Sequence, residues 1–396
     1  MTKIIQVAAD RITKNKVYPS LAKLDAAPYT AEWRTFSKHY PYTVPPELIN
    51  HFDNHCIEYS ISTVEDSRPV SIYIVQFGWH DYTIDYFALL PEKVKEKLRA
   101  KEMIVIFYYH EGDSILSLKP WFSDACIRNS LPNNCYRIVS GNTAAARLDQ
   151  CAYFPDHELL YQHRNRHCVP TQIHANKRPK SFLCLSRTHK WWRAAIIADL
   201  ADRGLLANSL YSYHLEDCGD LIEDCPIELD TLDISRLLTA FLATAPYSCD
   251  SFTVDEQNDH HLHAEDLYTQ TYCSIVLETL FDVDGSGAAF LTEKTFKCLK
   301  HGHLFVIAGG PGSIQCLRDL GYKTFDLFID HSYDRIENNT ERYLALRREI
   351  ERLSRANMRE LYSACIPDLQ HNQQLFLAPK TDRLNSLLER LHLTYD

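Results

Sequence analysis

Glu293 and Lys294 stand side by side in the last third of the chain, with the hydroxyls of Thr292 and Thr295 on either side. A carboxylate accepts hydrogen bonds from a ribose diol, and a lysine ammonium pairs with a phosphate. These residue types in this order therefore predict a half-site that holds a nucleotide by its ribose and its phosphates.

A glycine turn follows this acid–base pair after a short apolar run. The run is Leu304–Ala308 and the turn is Gly309–Ser313, in a chain that has only 12 glycines. Because glycine lets backbone N–H groups approach a ligand closely, we assign Gly310, Gly312 and Ser313 to phosphate binding. Together with the acid–base pair, the turn predicts a nucleotide-sugar site.

The same stretch also permits a calcium-binding interpretation. Asp282, Asp284, Ser286, Gly287 and Glu293 occupy positions 1, 3, 5, 6 and 12 of an EF-hand loop. EF-hands normally pair, however, and the sequence has no second loop of this spacing. The apolar run before the loop is also typical of a buried strand rather than a helix. Calcium binding by an EF-hand-like loop at Asp282–Glu293 stays an alternative, and we expect no metal site.

The composition bounds the class of protein. The chain has 396 residues, 45% of them apolar and 24% charged, which is typical of a soluble protein with two domains. A net charge of −10 disfavours a broad basic surface for nucleic acid. The 13 cysteines show no CxxC spacing, and there is neither a signal peptide nor an 18-residue apolar run. We expect a cytoplasmic protein with reduced thiols and no membrane span.

Apolar runs and helical spacing alternate along the chain. This alternation predicts an α/β fold with parallel sheets, and polar residues follow several of the strands. The predicted strands are 70–77, 103–109, 136–140, 181–186, 210–213, 272–278 and 304–308, and the predicted helices are 91–99, 191–203, 232–241, 294–300, 313–320, 340–356 and 383–393. We expect an N-terminal α/β domain over 1–165, a linker over 166–180, a nucleotide-sugar-binding domain over 181–340, and a helical tail over 341–396 that packs back on the domains.

The stretch from Thr292 to Lys294 resembles the Thr-Glu-Lys motif of the α-1,3-fucosyltransferase family. The longer stretch from Glu293 to Asp334 resembles glycosyltransferase-like proteins of phages and marine microbes. The resemblance implies the GT-B architecture, in which two Rossmann-like domains face a cleft and C-terminal helices follow. It also implies an inverting, metal-independent transferase that uses a nucleotide-diphosphate sugar and requires no cofactor.

The resemblance also assigns roles to individual residues. Glu293 would bind the ribose, while Lys294 and Arg187 would bind the diphosphate. The family has Tyr three residues before the Glu, and this chain has Phe290, which keeps the ring for stacking. Glu278, at the end of a predicted strand, either caps a loop or touches the donor.

The acceptor hydroxyl needs a base, and three residues near predicted strand ends in the N-terminal half are candidates. Glu111 is the first choice, because it ends an apolar strand, and His110 and Asp81 come next. The resemblance implies a glycan acceptor. A hydroxymethylated base in phage DNA is the alternative, although the acidic net charge argues mildly against it.

Overall fold

The computed structural model describes residues 5–9, 59–63, 71–77, 85–109, 112, 115–164, 169–216, 225–228, 234–249, 265–282 and 288–391. Contacts divide the chain into two compact units. Unit 1 comprises Met1–Leu159 and Pro379–Asp396, and unit 2 comprises Leu160–Ala378. Both units contain a parallel sheet with helices, so the predicted mixed α/β class is confirmed.

The sheet of unit 1 has six parallel strands in the order β2-β1-β3-β4-β5-β6. The central strands are runs of β-branched and aromatic residues, as expected where helices cover both faces of a parallel sheet. The strands are β1 (Ile5–Ala9), β2 (Tyr59–Thr63), β3 (Ser71–Phe77), β4 (Met103–Tyr109), β5 (Tyr136–Ser140) and β6 (Cys151–Tyr153).

The helices of unit 1 bury aromatic rings against this sheet. Phe107 of β4 lies 4.4 Å from Phe122 between ring centroids, and Phe87 and Tyr136 pack on the same cluster. The helices are α1 (Tyr86–Leu89), α2 (Glu92–Arg99), α3 (Ile115–Arg128) and the first residues of α4 (Asp156–Arg164), which continues into unit 2 after Leu159, with a 3-10 turn at Thr143–Arg147.

The last helix, α13 (Thr381–Arg390), belongs to unit 1. At its start, Lys380 and Arg383 both pair with the fully buried carboxylate of Glu158. At its end, Arg390 donates to the backbone carbonyl of Cys151 in β6. A buried carboxylate without these cations would be costly, so the three charges fix the end of the chain on unit 1.

The sheet of unit 2 has four parallel strands in the order β10-β9-β7-β8. The strands are β7 (Lys180–Thr188), β8 (Ser209–Glu216), β9 (Thr271–Leu277) and β10 (Leu304–Ala308). Every residue of β9 and β10 is buried, which explains the unbroken apolar sequence of β10 and the mostly apolar sequence of β9.

Helices connect and cover these strands. Amphipathic spacing buries one face of α8, where Phe296 and Leu299 enter the core, whereas α5 is buried at every residue from Trp192 to Leu200. The helices are α5 (Trp191–Asp202), α6 (Ile234–Leu242), α7 (Glu265–Gln270), α8 (Glu293–Lys300), α9 (Ser313–Asp319), α10 (Asn339–Ser354), α11 (Met358–Ala364) and α12 (Ile366–Leu377), with a 3-10 turn at Ser332–Arg335.

The predicted strand 181–186 is too short at its carboxyl end. Arg187 and Thr188 are the last residues of β7, because Thr188 still pairs with Glu216 of β8 after an irregularity in the register. Arg187 therefore stands at the carboxyl end of a strand rather than on a loop.

Candidate functional site

The strand connections of unit 2 diverge between the neighbouring strands β7 and β9, and we call the carboxyl edge of the sheet at this point the β7–β9 crevice. The connection from β7 leads to β8 on one side, and the connection from β9 leads to β10 on the other. In open parallel sheets, ligands bind outside the carboxyl ends of the strands where the connections diverge in this way. The residues at this point are Arg187 at the end of β7, Glu278 just after β9, and the first turn of α8.

Glu278 is a buried carboxylate that organises the first turn of α8. It accepts hydrogen bonds from the hydroxyls of Thr292 and Thr295, at 2.5 Å each. It also accepts from the backbone N–H groups of Thr292 at 3.2 Å and Thr279 at 3.3 Å. Its side chain has no exposure to solvent. Of the two predicted roles, the structure favours the loop-capping role for Glu278, since its oxygens are taken up by four donors of the protein.

Lys294 and Glu293 lie next to this anchor and are partly exposed, with 29% and 13% of their side-chain surface accessible. The Lys294 ammonium donates to the Thr279 hydroxyl at 3.1 Å, to the Thr292 hydroxyl at 3.2 Å and to Glu293 at 3.2 Å. Thr292 thus joins the buried carboxylate to the lysine. The acid–base pair is held in place by the protein before any ligand arrives.

Two further cations lie near this pair. Burial lowers the pKa of Lys297, one helical turn beyond Lys294; the Glu293 carboxylate opposes this shift, and Lys294 and Arg187 add to it. Arg187, Lys294 and Lys297 therefore share one electrostatic environment at the crevice, with the Glu293 carboxylate among them. Sequence reasoning missed Lys297, although its spacing of three from Lys294 and four from Glu293 places all three on one helical face.

The ring of Phe290, which the resemblance places against the donor base, is buried in the protein and only 1% exposed. Thr292 and Thr295 are equally buried. Their contacts are with Glu278, so they position the partly exposed residues between them.

The glycine turn before α9 has its own buried carboxylate. Asp334 accepts from the backbone N–H groups of Ile314 at 2.9 Å and Gln315 at 3.1 Å, and its backbone carbonyl accepts from the N–H of Gly312 at 2.9 Å. The Ser313 hydroxyl donates to the carbonyl of Gly310 at 2.7 Å. Burial raises the pKa of Asp334, and the two amide hydrogen bonds oppose that shift.

Two buried arginines that sequence reasoning missed tie the strand-end loops together. Arg342 of α10 donates to the carbonyls of Gly309 at 3.2 Å and Phe281 at 2.6 Å. Arg193 of α5 donates to the carbonyl of Glu278 at 2.6 Å, which joins α5 to the residue that follows β9. Burial lowers the pKa of Arg342 to about 10. An arginine within an otherwise apolar helical face, as in α5, is the signal that could have identified Arg193.

The three candidates for the catalytic base, Asp81, His110 and Glu111, lie outside the described residues. The structure does describe the strands that precede them. β3 ends at Phe77 and β4 ends at Tyr109, and these two residues are partners in the parallel register. The base assignment stays a prediction.

An EF-hand at Asp282–Glu293 conflicts with the fold. An EF-hand loop follows a helix directly, and the element before Asp282 is the buried strand β9. Within the part of the chain that the structure describes, no three His, Cys, Asp or Glu side chains group as metal ligands.

No described helix combines the length and the apolar character needed to cross a bilayer.

Neither a family model nor a curated protein matches the chain. Among solved structures, the chain is similar to a DNA-modifying enzyme, β-glucosyltransferase, whose structure was determined with and without its substrate uridine diphosphoglucose. The TM-score is 0.43 and the identity is 10%, over 98% of this chain and 98% of that chain. A similarity of this size adds no weight to an assignment of function, which rests on the residues themselves.

Proposed function

We propose that this protein transfers a sugar from a nucleotide-diphosphate sugar to a hydroxyl acceptor, with inversion and without a metal ion. The observation that carries the proposal is the position of Arg187, Glu293 and Lys294. They lie at the carboxyl edge of a parallel sheet, where the connections diverge and where nucleotides bind in folds of this kind.

The residue types suit the departure of a nucleoside diphosphate. As the bond between the sugar and the diphosphate breaks, negative charge grows on the leaving phosphate. Arg187 and Lys294 stabilise that charge more in the transition state than in the ground state, which is the requirement for rate acceleration. Glu293 accepts hydrogen bonds from the ribose hydroxyls, and its pairing with Lys294 at 3.2 Å holds both side chains ready.

Preorganisation also favours a binding role for this cluster. Ammonium and carboxylate groups on a freely moving surface lose side-chain entropy when they bind a ligand. Lys294 already donates to Thr279 and Thr292, and Thr292 is fixed by buried Glu278. In the glycine turn, we retain the amide of Gly310 as a phosphate contact, because it has no acceptor among the described residues. We assign Phe290 a packing role, because its ring is buried in the protein.

We assign the acceptor base to Glu111, with His110 and Asp81 as the next candidates. The assignment predicts that Glu111→Gln abolishes sugar transfer and leaves donor binding within about 2-fold of wild type, because a general base contributes roughly 100-fold or more to rate and little to donor affinity. Sugar transfer is measured as release of the nucleoside diphosphate, and donor binding is measured by calorimetry. Full transfer activity in Glu111→Gln would refute the base assignment and leave the donor site untouched.

A thermal-shift screen with GDP-, UDP-, ADP- and CMP-linked sugars tests the proposed function. We expect at least one nucleotide sugar to raise the melting temperature of the wild-type protein, and the shift to shrink in Lys294→Met. If no nucleotide sugar or nucleoside diphosphate stabilises the protein, the proposal is wrong.

We propose a glycan as the acceptor class, since the net charge of −10 opposes the approach of a polyanion. The alternative acceptor is duplex DNA that carries hydroxymethylated bases, and binding of this duplex to the protein distinguishes the two. Binding of that duplex with an affinity that falls steeply as salt rises would favour a DNA acceptor instead.

A further inference from the structure

Helix α8 presents a single partly open face at the crevice. Its residues Thr295, Phe296, Cys298, Leu299 and Lys300 are buried. The partly exposed residues are Glu293, Lys294 and Lys297. Spacings of three and four place them on one stripe. The face that reaches solvent therefore carries two cations and one carboxylate.

The two lysines in the second half of α8 have different surroundings. Lys300 is fully buried and pairs with Glu265 at 3.5 Å. Lys297 has no carboxylate within ion-pair distance of its ammonium among the described residues. The neighbouring carboxylate, Glu293, is paired with Lys294 at 3.2 Å.

A half-buried ammonium without a partner is unfavourable, and other cations nearby add to the cost. Lys294 and Arg187 are those cations, and both act against the charged form of Lys297. A lysine that serves only to complement the end of a helix would not need this position, since Lys300 already occupies the last turn. Among the residues that the structure describes, the protein does not balance the positive charges of Lys297, Lys294 and Arg187 with an equal number of carboxylates. A bound anion would therefore stabilise them.

We propose that Lys297 is a third phosphate-binding cation, which together with Arg187 and Lys294 holds the diphosphate of the donor. This inference rests on the proposed function and adds a residue outside the recognisable motif. Three cations around one diphosphate supply the positive charge that a divalent ion would otherwise provide to the leaving group.

The test is a calorimetric titration of the full-length protein with inorganic pyrophosphate and with UDP, GDP, ADP and CDP. We expect Lys297→Met to weaken binding of the diphosphate about 10-fold or more, the usual loss for a charge-assisted contact. Lys297→Arg should bind within a few-fold of wild type, because it keeps the charge. Lys177→Met is the matched control, since Lys177 is exposed and precedes the amino end of β7, at the opposite edge of the sheet.

Stability separates a binding role from a structural one. Because Lys297→Met removes a repelled charge, the ligand-free variant should melt at the temperature of wild type or above it. A variant that melts lower and binds diphosphate as tightly as wild type would overturn the inference and leave the proposed function standing. If the wild-type protein binds neither pyrophosphate nor any nucleoside diphosphate, the proposed function fails as well.

Discussion

The loops that follow β9 and β10 differ in how a buried carboxylate holds the start of the next helix. Each leads into a helix, and each uses a buried carboxylate to hold the start of that helix. Glu278 gathers two threonine hydroxyls and two amides before α8. Asp334 takes two amides at the start of α9.

The difference lies in what each loop leaves available. In the first turn of α9, the amides of Ile314 and Gln315 donate to Asp334 and are not available to a ligand. At α8, buried Glu278 contacts the Thr292 hydroxyl, and Thr292 in turn contacts Lys294. Lys294 and Glu293 therefore stay partly exposed at the crevice. A glycine turn that looks like a phosphate loop in sequence is thus largely satisfied internally, while a threonine-rich turn becomes the better candidate for the site.

The largest effects should come from removing the two carboxylates. Glu278→Ala leaves buried donors without an acceptor and should lower the free energy of unfolding by about 3–5 kcal/mol, and it should abolish diphosphate binding. Asp334→Ala should destabilise by about 2–4 kcal/mol for the same reason but retain diphosphate affinity under conditions where it is folded. Denaturant unfolding and calorimetry measure both quantities.

If Asp334→Ala loses diphosphate affinity as completely as Glu278→Ala, the distinction between the two loops does not hold. Glu278→Gln sharpens the comparison, because its amide keeps one oxygen as an acceptor for the threonine hydroxyls. We expect Glu278→Gln to recover part of the stability.

Smaller effects on stability and large effects on binding should follow from changes to the cations. Lys294→Met and Arg187→Met should each weaken nucleoside-diphosphate binding about 10- to 100-fold, as expected for loss of a charge-assisted contact. For Lys294→Met, the free energy of unfolding should change by less than about 1 kcal/mol, since its ion pair with Glu293 is partly exposed and such pairs contribute little. Lys177→Met serves again as the exposed control. Equal affinity of Lys294→Met and wild type would remove the α8 turn from the donor site.

The smallest effect should come from Gly312, the residue before α9. It has a φ of +82° and open space where a Cβ would stand, so Gly312→Ala is opposed only by its backbone conformation. We expect a loss of about 1 kcal/mol in stability and no change in diphosphate affinity.

At Gly309, by contrast, a Cβ would lie 3.0 Å from the Ser313 hydroxyl and 3.4 Å from the Cβ of Glu278. Gly309→Ala should therefore reduce affinity a few-fold by disturbing Glu278, and an unchanged affinity would count against that link.

The sequence predicted the long buried strands well, because their apolar runs are bounded by turn residues. Leu304–Ala308 has the bounds predicted for it, and β9 differs by one residue at each end. Strand β6 was not predicted, since three residues show no periodicity. Helix α3 was not predicted either, because Pro120 lies inside it and normally ends a helix.

In the candidate site, too, some residues were predictable from the sequence and others were not. Glu293 and Lys294 are recognisable because they are adjacent to each other. The partners that define the two loops are distant in sequence: Asp334 lies 19–20 residues from the amides it accepts from, and Arg342 lies 33 and 61 residues from its two loop carbonyls. Such contacts leave no local pattern, so one sequence cannot show which carboxylate is buried and which is open.

The most direct test of the central claim is a titration of the wild-type protein with a panel of nucleoside diphosphates in the presence of EDTA. We expect at least one nucleoside diphosphate to bind without a divalent ion, and Lys294→Met to weaken this binding about 10-fold or more. Binding that requires a divalent ion, or no binding by any member of the panel, would contradict a metal-free diphosphate site at the β7–β9 crevice.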